Sequence, residues 1–306
     1  MAAFIYLIFL IFVLGICIGS FLNVVILRAF SNESIVFPAS KCPKCGHKLK
    51  WYHNLPIFSY IFLRGKCAFC KDKISIQYPI IEFLTGVIFV LVFLKYFFSW
   101  QTLFVWAISA MFVVLSVTDL KEKVIFVNHA YFLIGFALLF NLLNLNPLVN
   151  GFLSSLIFSV LGLICGVVIM EILARVGYIF AGTRAFGEGD TYIAAAMGVL
   201  FGWKGFLIAI LLSLIVQFVL TIPLFLAKLF KNKDYTTVIG FLLFIVSVIL
   251  CKIPQISFSI AIIPLLLTSG FLCYRLLKDL KKQQDFMYLP FGPAMILASF
   301  IVLMMM

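Results

Sequence analysis

Charged residues are scarce in this sequence, and their scarcity excludes an ordinary soluble fold. Asp, Glu, Lys and Arg make up 11% of the 306 residues, whereas 65% of the residues are hydrophobic. In a typical soluble domain about a quarter of the residues are charged. A globular core could not bury this much apolar surface, and the mean hydropathy is +1.22. We therefore predict an all-α polytopic membrane protein, with lipid as its main solvent.

Positive charge is also missing ahead of the first apolar run, residues 3–27, and Arg28 follows that run. A cleavable signal peptide carries its positive charge before the run and a small-residue cleavage site after it. We expect residues 1–28 to form the first transmembrane helix, with the N-terminus outside.

Further apolar runs continue to the end of the chain, and together they predict about 8–10 transmembrane helices. They are residues 79–98, 101–118, 125–145, 151–174, 190–201, 204–227, 237–251, 257–274 and 290–306. The short run 190–201 is expected to open a helical pair, with a tight turn between Gly202 and Gly205.

The few positive charges predict the orientation of the chain. If each run crosses once, 20 of the 23 Lys and Arg residues fall on one side of the membrane. Cytoplasmic loops carry such an excess. Both termini are then expected outside the membrane, with residues 29–78 in the cytoplasm. The net charge of +12 is the ordinary excess of such loops, so no nucleic-acid partner is predicted.

Residues 29–78 form the one long polar stretch, and they contain two CxxC pairs: Cys42 with Cys45, and Cys67 with Cys70. Two such turns supply four soft thiolate ligands in a tetrahedron, which suits Zn²⁺, and the spacing is close to a known zinc pattern. Disulfides and redox-active thiols are the alternatives, but stable disulfides are rare in reducing cytoplasm. We predict a small cytoplasmic domain with a structural Cys₄ zinc site.

Acidic residues number only eleven, so their positions are informative. Asp119 ends the run 101–118 and Asp190 begins the run 190–201, which places both on the cytoplasmic face. Two carboxyl groups in one partly desolvated site can act as a general base and a general acid. Alternatively, Asp190 is a helix cap and Asp119 pairs with Lys121 or Lys123. Glu82 is a third acid, at the start of the second span, where it could cap that helix or pair with Lys73.

The motifs along the chain, taken together, resemble those of the bacterial type IV prepilin peptidases (prepilin leader peptidase/N-methyltransferases), a family of GxGD membrane aspartyl proteases. Gly187-Glu188-Gly189-Asp190 matches the GxGD signature. The other resembling segments are GSFLNVVI from Gly19, the paired CxxC loop, YPIIEFLTG from Tyr78, the segment that begins at Asp119, Phe186 to Trp203, and PFGP from Pro290. Residues 232–285 depart from the family's usual length and are expected to be an extra hairpin.

This resemblance implies a bifunctional enzyme. Residues 79–306 would be an aspartyl peptidase domain that cleaves the leader of type IV prepilins or type II secretion pseudopilins after a Gly, at the cytoplasmic membrane face. Asp119 and Asp190 would be the catalytic pair, supported by Gly187, Glu188 and Gly189. The enzyme would then methylate the new N-terminus with S-adenosylmethionine, and the Cys₄ domain would be associated with that step. Glu82 is a candidate methyltransferase or supporting residue.

Two other functions are consistent with parts of the sequence. A zinc-regulated transporter or channel could use Asp119 and Asp190 for protons or cations, although transporter charges are expected near the middle of the bilayer. A peptidase without methyltransferase activity is the other alternative, because residues 28–78 contain no recognisable Gly-rich loop for an adenosyl group. The use of S-adenosylmethionine is therefore implied by the resemblance alone.

Overall fold

The computed structural model describes residues 2–31, 33–34, 36–37, 40–42, 44–181, 186–231, 235–250, 263–264, 266–271 and 290–306. The main helices are α1 (Ala2–Ser31), α2 (Phe58–Phe62), α3 (Gln77–Tyr96), α4 (Trp100–Glu122), α5 (Val127–Leu142), α6 (Phe152–Ala181), α7 (Glu188–Lys231), α8 (Tyr235–Leu250) and α9 (Gly292–Met305). A short 3₁₀ helix spans Trp51–Asn54. Within the described ranges, β-structure is limited to two isolated bridges.

Five of these helices are long and apolar enough to cross a membrane, which confirms an all-α polytopic architecture. The five spans are Ala3–Ser31, Gln77–Tyr96, Trp100–Glu122, Phe152–Val176 and Glu188–Pro223. Helices α5, α8 and α9 are also apolar but have only 16, 16 and 14 residues. The prediction of about ten segments counted these shorter helices, and the two parts of α7, as crossings. Of the expected hairpin at 232–285, α8 is described, and most of the remainder lies outside the described residues.

The predicted turn after the run 190–201 is a break within α7. Gly202 has φ 65° and ψ 178°, while the residues on both sides are helical. A break of this kind leaves the preceding carbonyl groups without their helical partners. Asn141 donates a hydrogen bond to the Val199 carbonyl at 2.7 Å, and Asn146 donates one to the Leu200 carbonyl at 2.9 Å. Two buried amide side chains therefore replace the missing helical donors at the break.

Small residues allow two pairs of helices to approach closely. A Cβ on Gly198 of α7 would collide with the backbone of Gly162 of α6, and the reverse is also true. In α1, a Cβ on Gly15 would lie 2.7 Å from the Gly86 Cα of α3. Close backbone contact is a common way for helices to associate in lipid, where the hydrophobic effect does not drive them together.

Several helix ends meet at one end of the bundle. Phe30, in the last turn of α1, contacts Phe126 at the start of α5, with ring centroids 5.2 Å apart. Ile125, in the short connection between α4 and α5, packs against Gly189 in the first turn of α7. The start of α9 also reaches this end, because Gly292 packs against Asp119 of α4. Residues 32–76 leave from the same end, between α1 and α3.

Candidate active site and metal centre

Asp119 lies in the last turns of α4, which ends when Lys123 adopts a left-handed conformation with φ 56°. The Asp119 side chain is buried, with 5% of its surface exposed. Its Oδ2 atom has no hydrogen-bond partner among the described residues. The ion pair with Lys121 that the sequence suggested does not form, since that amine lies over the Phe30 ring at 5.4 Å. A buried carboxyl oxygen with an open acceptor site can receive water or a substrate group.

Asp190 is held by the beginning of α7. Its Oδ2 accepts a hydrogen bond from the Gly187 backbone N–H at 3.1 Å, as in the reciprocal part of a helix-capping box. This hydrogen bond differs from the cap that the sequence suggested, because Asp190 is the third residue of α7 and bonds back to the residue before the helix. It also fixes the orientation of a carboxyl group that is only 4% exposed. Glu188, between the two motif glycines, points to the exposed surface.

The two aspartates, far apart in the sequence, lie close enough for their carboxyl groups to interact electrostatically. Gly292, the first residue of α9, packs directly against Asp119 Oδ2, and its backbone N–H faces that carboxyl group. A Cβ at Gly292 would collide with this oxygen and would lie 3.2 Å from Ile193 Cδ1. The site is thus built from the end of α4 and the beginnings of α7 and α9.

Two further contacts close the site. A Cβ on Gly189 would lie 2.7 Å from Ile125, so only glycine lets α7 approach the α4–α5 connection this closely. The rings of Phe186 and Phe291 are in tilted contact, with centroids 5.0 Å apart, beside the beginnings of α7 and α9. These apolar side chains pack beside two buried carboxyl groups. One carboxyl could then act as a base towards water and the other as an acid towards a carbonyl oxygen.

The four predicted cysteine ligands come together in the loop between α1 and α3. The sulfur atoms of Cys42, Cys45, Cys67 and Cys70 all lie within 4.8 Å of one another, and Cys42 and Cys70 Sγ are 4.0 Å apart. A tetrahedral site with Zn–S bonds of about 2.3 Å has sulfur–sulfur separations of about 3.8 Å. The donor set and its geometry therefore fit a zinc ion, and the cluster can hold one.

Both CxxC pairs are built on the same backbone pattern. The N–H of the first cysteine donates to a carbonyl five residues later, from Cys42 to His47 at 2.9 Å and from Cys67 to Asp72 at 2.8 Å. Backbone N–H groups of Cys70 and Phe69 are directed at the Cys67 sulfur and lower the pKa of that thiol to about 7. A lowered pKa favours the thiolate, which is the form that binds metal.

Glu82 does not join the aspartate pair. It is buried on α3, with 6% of its surface exposed, and its Oε2 accepts a hydrogen bond from the Ile57 backbone N–H at 2.7 Å. The ion pair of Glu82 with Lys73 suggested by the sequence is absent from the contacts that the structure describes for these two residues.

Sequence reasoning missed two features of the site. Gly292 was noted only as part of a resembling motif, and nothing in the sequence placed it against Asp119. The hydrogen bond from Gly187 to Asp190 was also missed, although an acidic residue three positions after a helix cap is a recognisable signal for it.

Two protein-family models match this chain. Residues 13–96 match the bacterial peptidase A24 N-terminal domain, and residues 106–222 match the type IV leader peptidase family. The first match contains all four cysteines and Glu82, and the second contains both aspartates. No solved structure matches the chain.

Three relatives share the name prepilin leader peptidase/N-methyltransferase. The protein of Neisseria gonorrhoeae is 34% identical over 76% of this chain and 88% of its own length. That of Aeromonas hydrophila is 31% identical over 72% of this chain and 81% of its own length. That of Myxococcus xanthus is 35% identical, over 64% of this chain and 56% of its own length. The chain belongs to the type IV leader peptidase family.

Proposed function

We propose that this protein is a membrane aspartyl endopeptidase that removes the leader of prepilins or pseudopilins and then methylates the new N-terminus. The observation that carries the peptidase activity is the pair of buried, interacting carboxyl groups of Asp119 and Asp190. The names of the relatives support the substrate and the second activity. We further propose that cleavage follows a Gly at the cytoplasmic face of the bacterial inner membrane.

In the proposed peptidase reaction, the ionised carboxyl group takes a proton from water as the water oxygen bonds to the scissile carbonyl carbon. The protonated carboxyl group gives its proton to the carbonyl oxygen. When the tetrahedral intermediate collapses, one of its hydroxyl groups returns a proton to the now ionised carboxyl group. The C–N bond breaks, and the leaving amine takes the proton that the other carboxyl group removed from water. Asp119 Oδ2 has no hydrogen-bond partner among the described residues, so it keeps its capacity to accept a proton or a hydrogen bond. Asp190 is held in place by the Gly187 N–H.

We propose that zinc binds Cys42, Cys45, Cys67 and Cys70 and has a structural role. The four sulfur atoms account for all four positions of a tetrahedral ion, which is typical of a structural site rather than a catalytic one. The proposed methyl donor is S-adenosylmethionine, which supplies an electrophilic methyl group to an amine. No residue is assigned to its binding.

The experiment is to incubate the purified protein, in detergent or nanodiscs, with a prepilin and S-adenosylmethionine, and to analyse the product by mass spectrometry. We expect a pilin that has lost its leader and gained one methyl group at its new N-terminus. Replacing either aspartate by Ala should abolish both changes, because methylation requires the amine that cleavage exposes. A cleaved but unmethylated wild-type product would remove the methyltransferase half of the proposal, and an uncleaved one would remove the peptidase half.

A transporter or channel function is not supported. Both aspartates lie at one end of the bundle, Asp119 against the first residue of α9 and Asp190 in the first turn of α7. Every relative described above carries the peptidase name.

A further inference from the structure

Glu82 is the one acidic residue in the seam between α1 and α3. It lies five residues after α3 begins, and it is buried. On the α1 side, a Cβ on Gly19 would lie 2.7 Å from the Glu82 Cα, so the two helices are in backbone contact at this level. A buried acid in such a seam needs hydrogen-bond donors.

Those donors connect the seam to the cysteine domain. Glu82 Oε2 accepts from the Ile57 N–H at 2.7 Å, and the Ser20 side chain of α1 is within hydrogen-bonding reach of the same carboxyl group. Ile57 stands immediately before α2 and has φ 61° and ψ −51°. A positive φ is uncommon for a β-branched residue, and such a conformation persists only where surrounding contacts hold it. The Glu82 bond is one of those contacts.

The bond from Glu82 to Ile57 closes a loop that contains the second CxxC pair. Within this loop, the Ile74 N–H donates to the Gly65 carbonyl at 2.8 Å, which joins the chain segments before and after the second CxxC pair. Beside it, Asn23 of α1 donates to the Tyr78 carbonyl at 3.2 Å, which joins α1 to the first turn of α3. The cysteine domain is therefore fixed to the α1–α3 pair at its root, and Glu82 provides the side chain that makes the connection.

We propose that Glu82 is a positioning residue that latches the Cys₄ domain onto α1 and α3, and that this latch is required for methyl transfer but not for leader cleavage. The inference rests on the proposed function. The Glu82 carboxylate acts as a hydrogen-bond acceptor for a backbone amide and a hydroxyl group. Because the aspartate site is built from α4, α7 and α9, loss of the latch leaves that site intact.

The test compares Glu82→Ala with Glu82→Gln in the full-length protein. The Gln side chain retains an oxygen that can accept the Ile57 N–H, whereas Ala leaves that amide without its partner. We expect Glu82→Ala to cleave prepilin at close to the wild-type rate and to lower the methylated fraction of the product by about tenfold or more. Glu82→Gln should restore most of the methylation. Glu33→Ala, which removes an exposed acid from the connection between α1 and α3, is the matched control and should behave like the wild type.

Two readouts do not depend on either activity. Hydrogen exchange at the Ile57 and Phe58 amides should become faster in Glu82→Ala and stay slow in Glu82→Gln, while both variants keep the metal content of the wild type. These readouts test the latch even if the wild type itself fails to methylate, which would count against the proposed function instead. The proposal is overturned if Glu82→Ala methylates normally, or if Glu82→Gln loses methylation as completely as Glu82→Ala. The second result would assign acid–base chemistry to the carboxyl group.

Discussion

Replacing Gly292 by Ala should lower the rate of leader cleavage strongly while leaving the fold intact. The new Cβ would collide with Asp119 Oδ2 and lie 3.2 Å from Ile193 Cδ1. The flexible end of Ile193 can give way by a few tenths of an ångström, but the carboxyl group must move out of contact. A displacement of about 1 Å at a reacting group costs on the order of 100-fold in rate. We therefore expect cleavage to fall by about that factor.

The assay is the initial rate of prepilin cleavage by purified protein, together with its thermal unfolding. Alanine is a better helix former than glycine by about 1 kcal/mol, so the substitution should not weaken α9 by itself. Gly135→Ala in α5 is the matched control, because a Cβ there has no neighbour within 4 Å. If the Gly292→Ala variant cleaves prepilin at the wild-type rate, the account of how α9 packs on Asp119 is refuted.

Three further substitutions test the fold and the metal centre. Gly198→Ala should lower the thermal stability in detergent, because its Cβ would collide with the Gly162 backbone; an unchanged melting temperature would contradict that packing. Asn141→Leu should cost about 1–3 kcal/mol in the free energy of unfolding by leaving the buried Val199 carbonyl without its donor, and chemical denaturation would show whether it does. Cys67→Ser should remove the zinc measured by atomic emission from the purified protein, and a variant that keeps one zinc per chain would exclude the Cys₄ site.

The cluster of four cysteines could be predicted because local spacing determines it. Each CxxC turn directs two sulfur atoms to one point, so four cysteines at this spacing have few other arrangements. The shared location of Asp119 and Asp190 could also be predicted, because the charge pattern indicates which helix ends meet. Local CxxC spacing was sufficient for the cysteines, and the topology inferred from charge was sufficient for the aspartates.

The packing within the bundle could not be predicted in the same way. In a soluble helix the apolar face marks the core, but here nearly every face is apolar, and lipid accepts side chains as readily as the interior does. Phe93 is 1% exposed and Phe98 is 79% exposed, although both belong to one apolar run. The contacts of Gly292 with Asp119 and of Glu82 with Ile57 depend on such packing between elements, and no sequence period indicates them.

The claim that Asp119 and Asp190 act as a catalytic pair is tested most directly by replacing each in turn with Asn, which keeps the size of the side chain and removes its ionisation. The measurement is the rate of prepilin cleavage by each purified variant, with Glu122→Gln, an exposed acid one turn after Asp119, as the control. The account predicts that each Asn variant loses cleavage by about 100-fold or more while Glu122→Gln cleaves like the wild type. Wild-type cleavage by either Asp119→Asn or Asp190→Asn would contradict it.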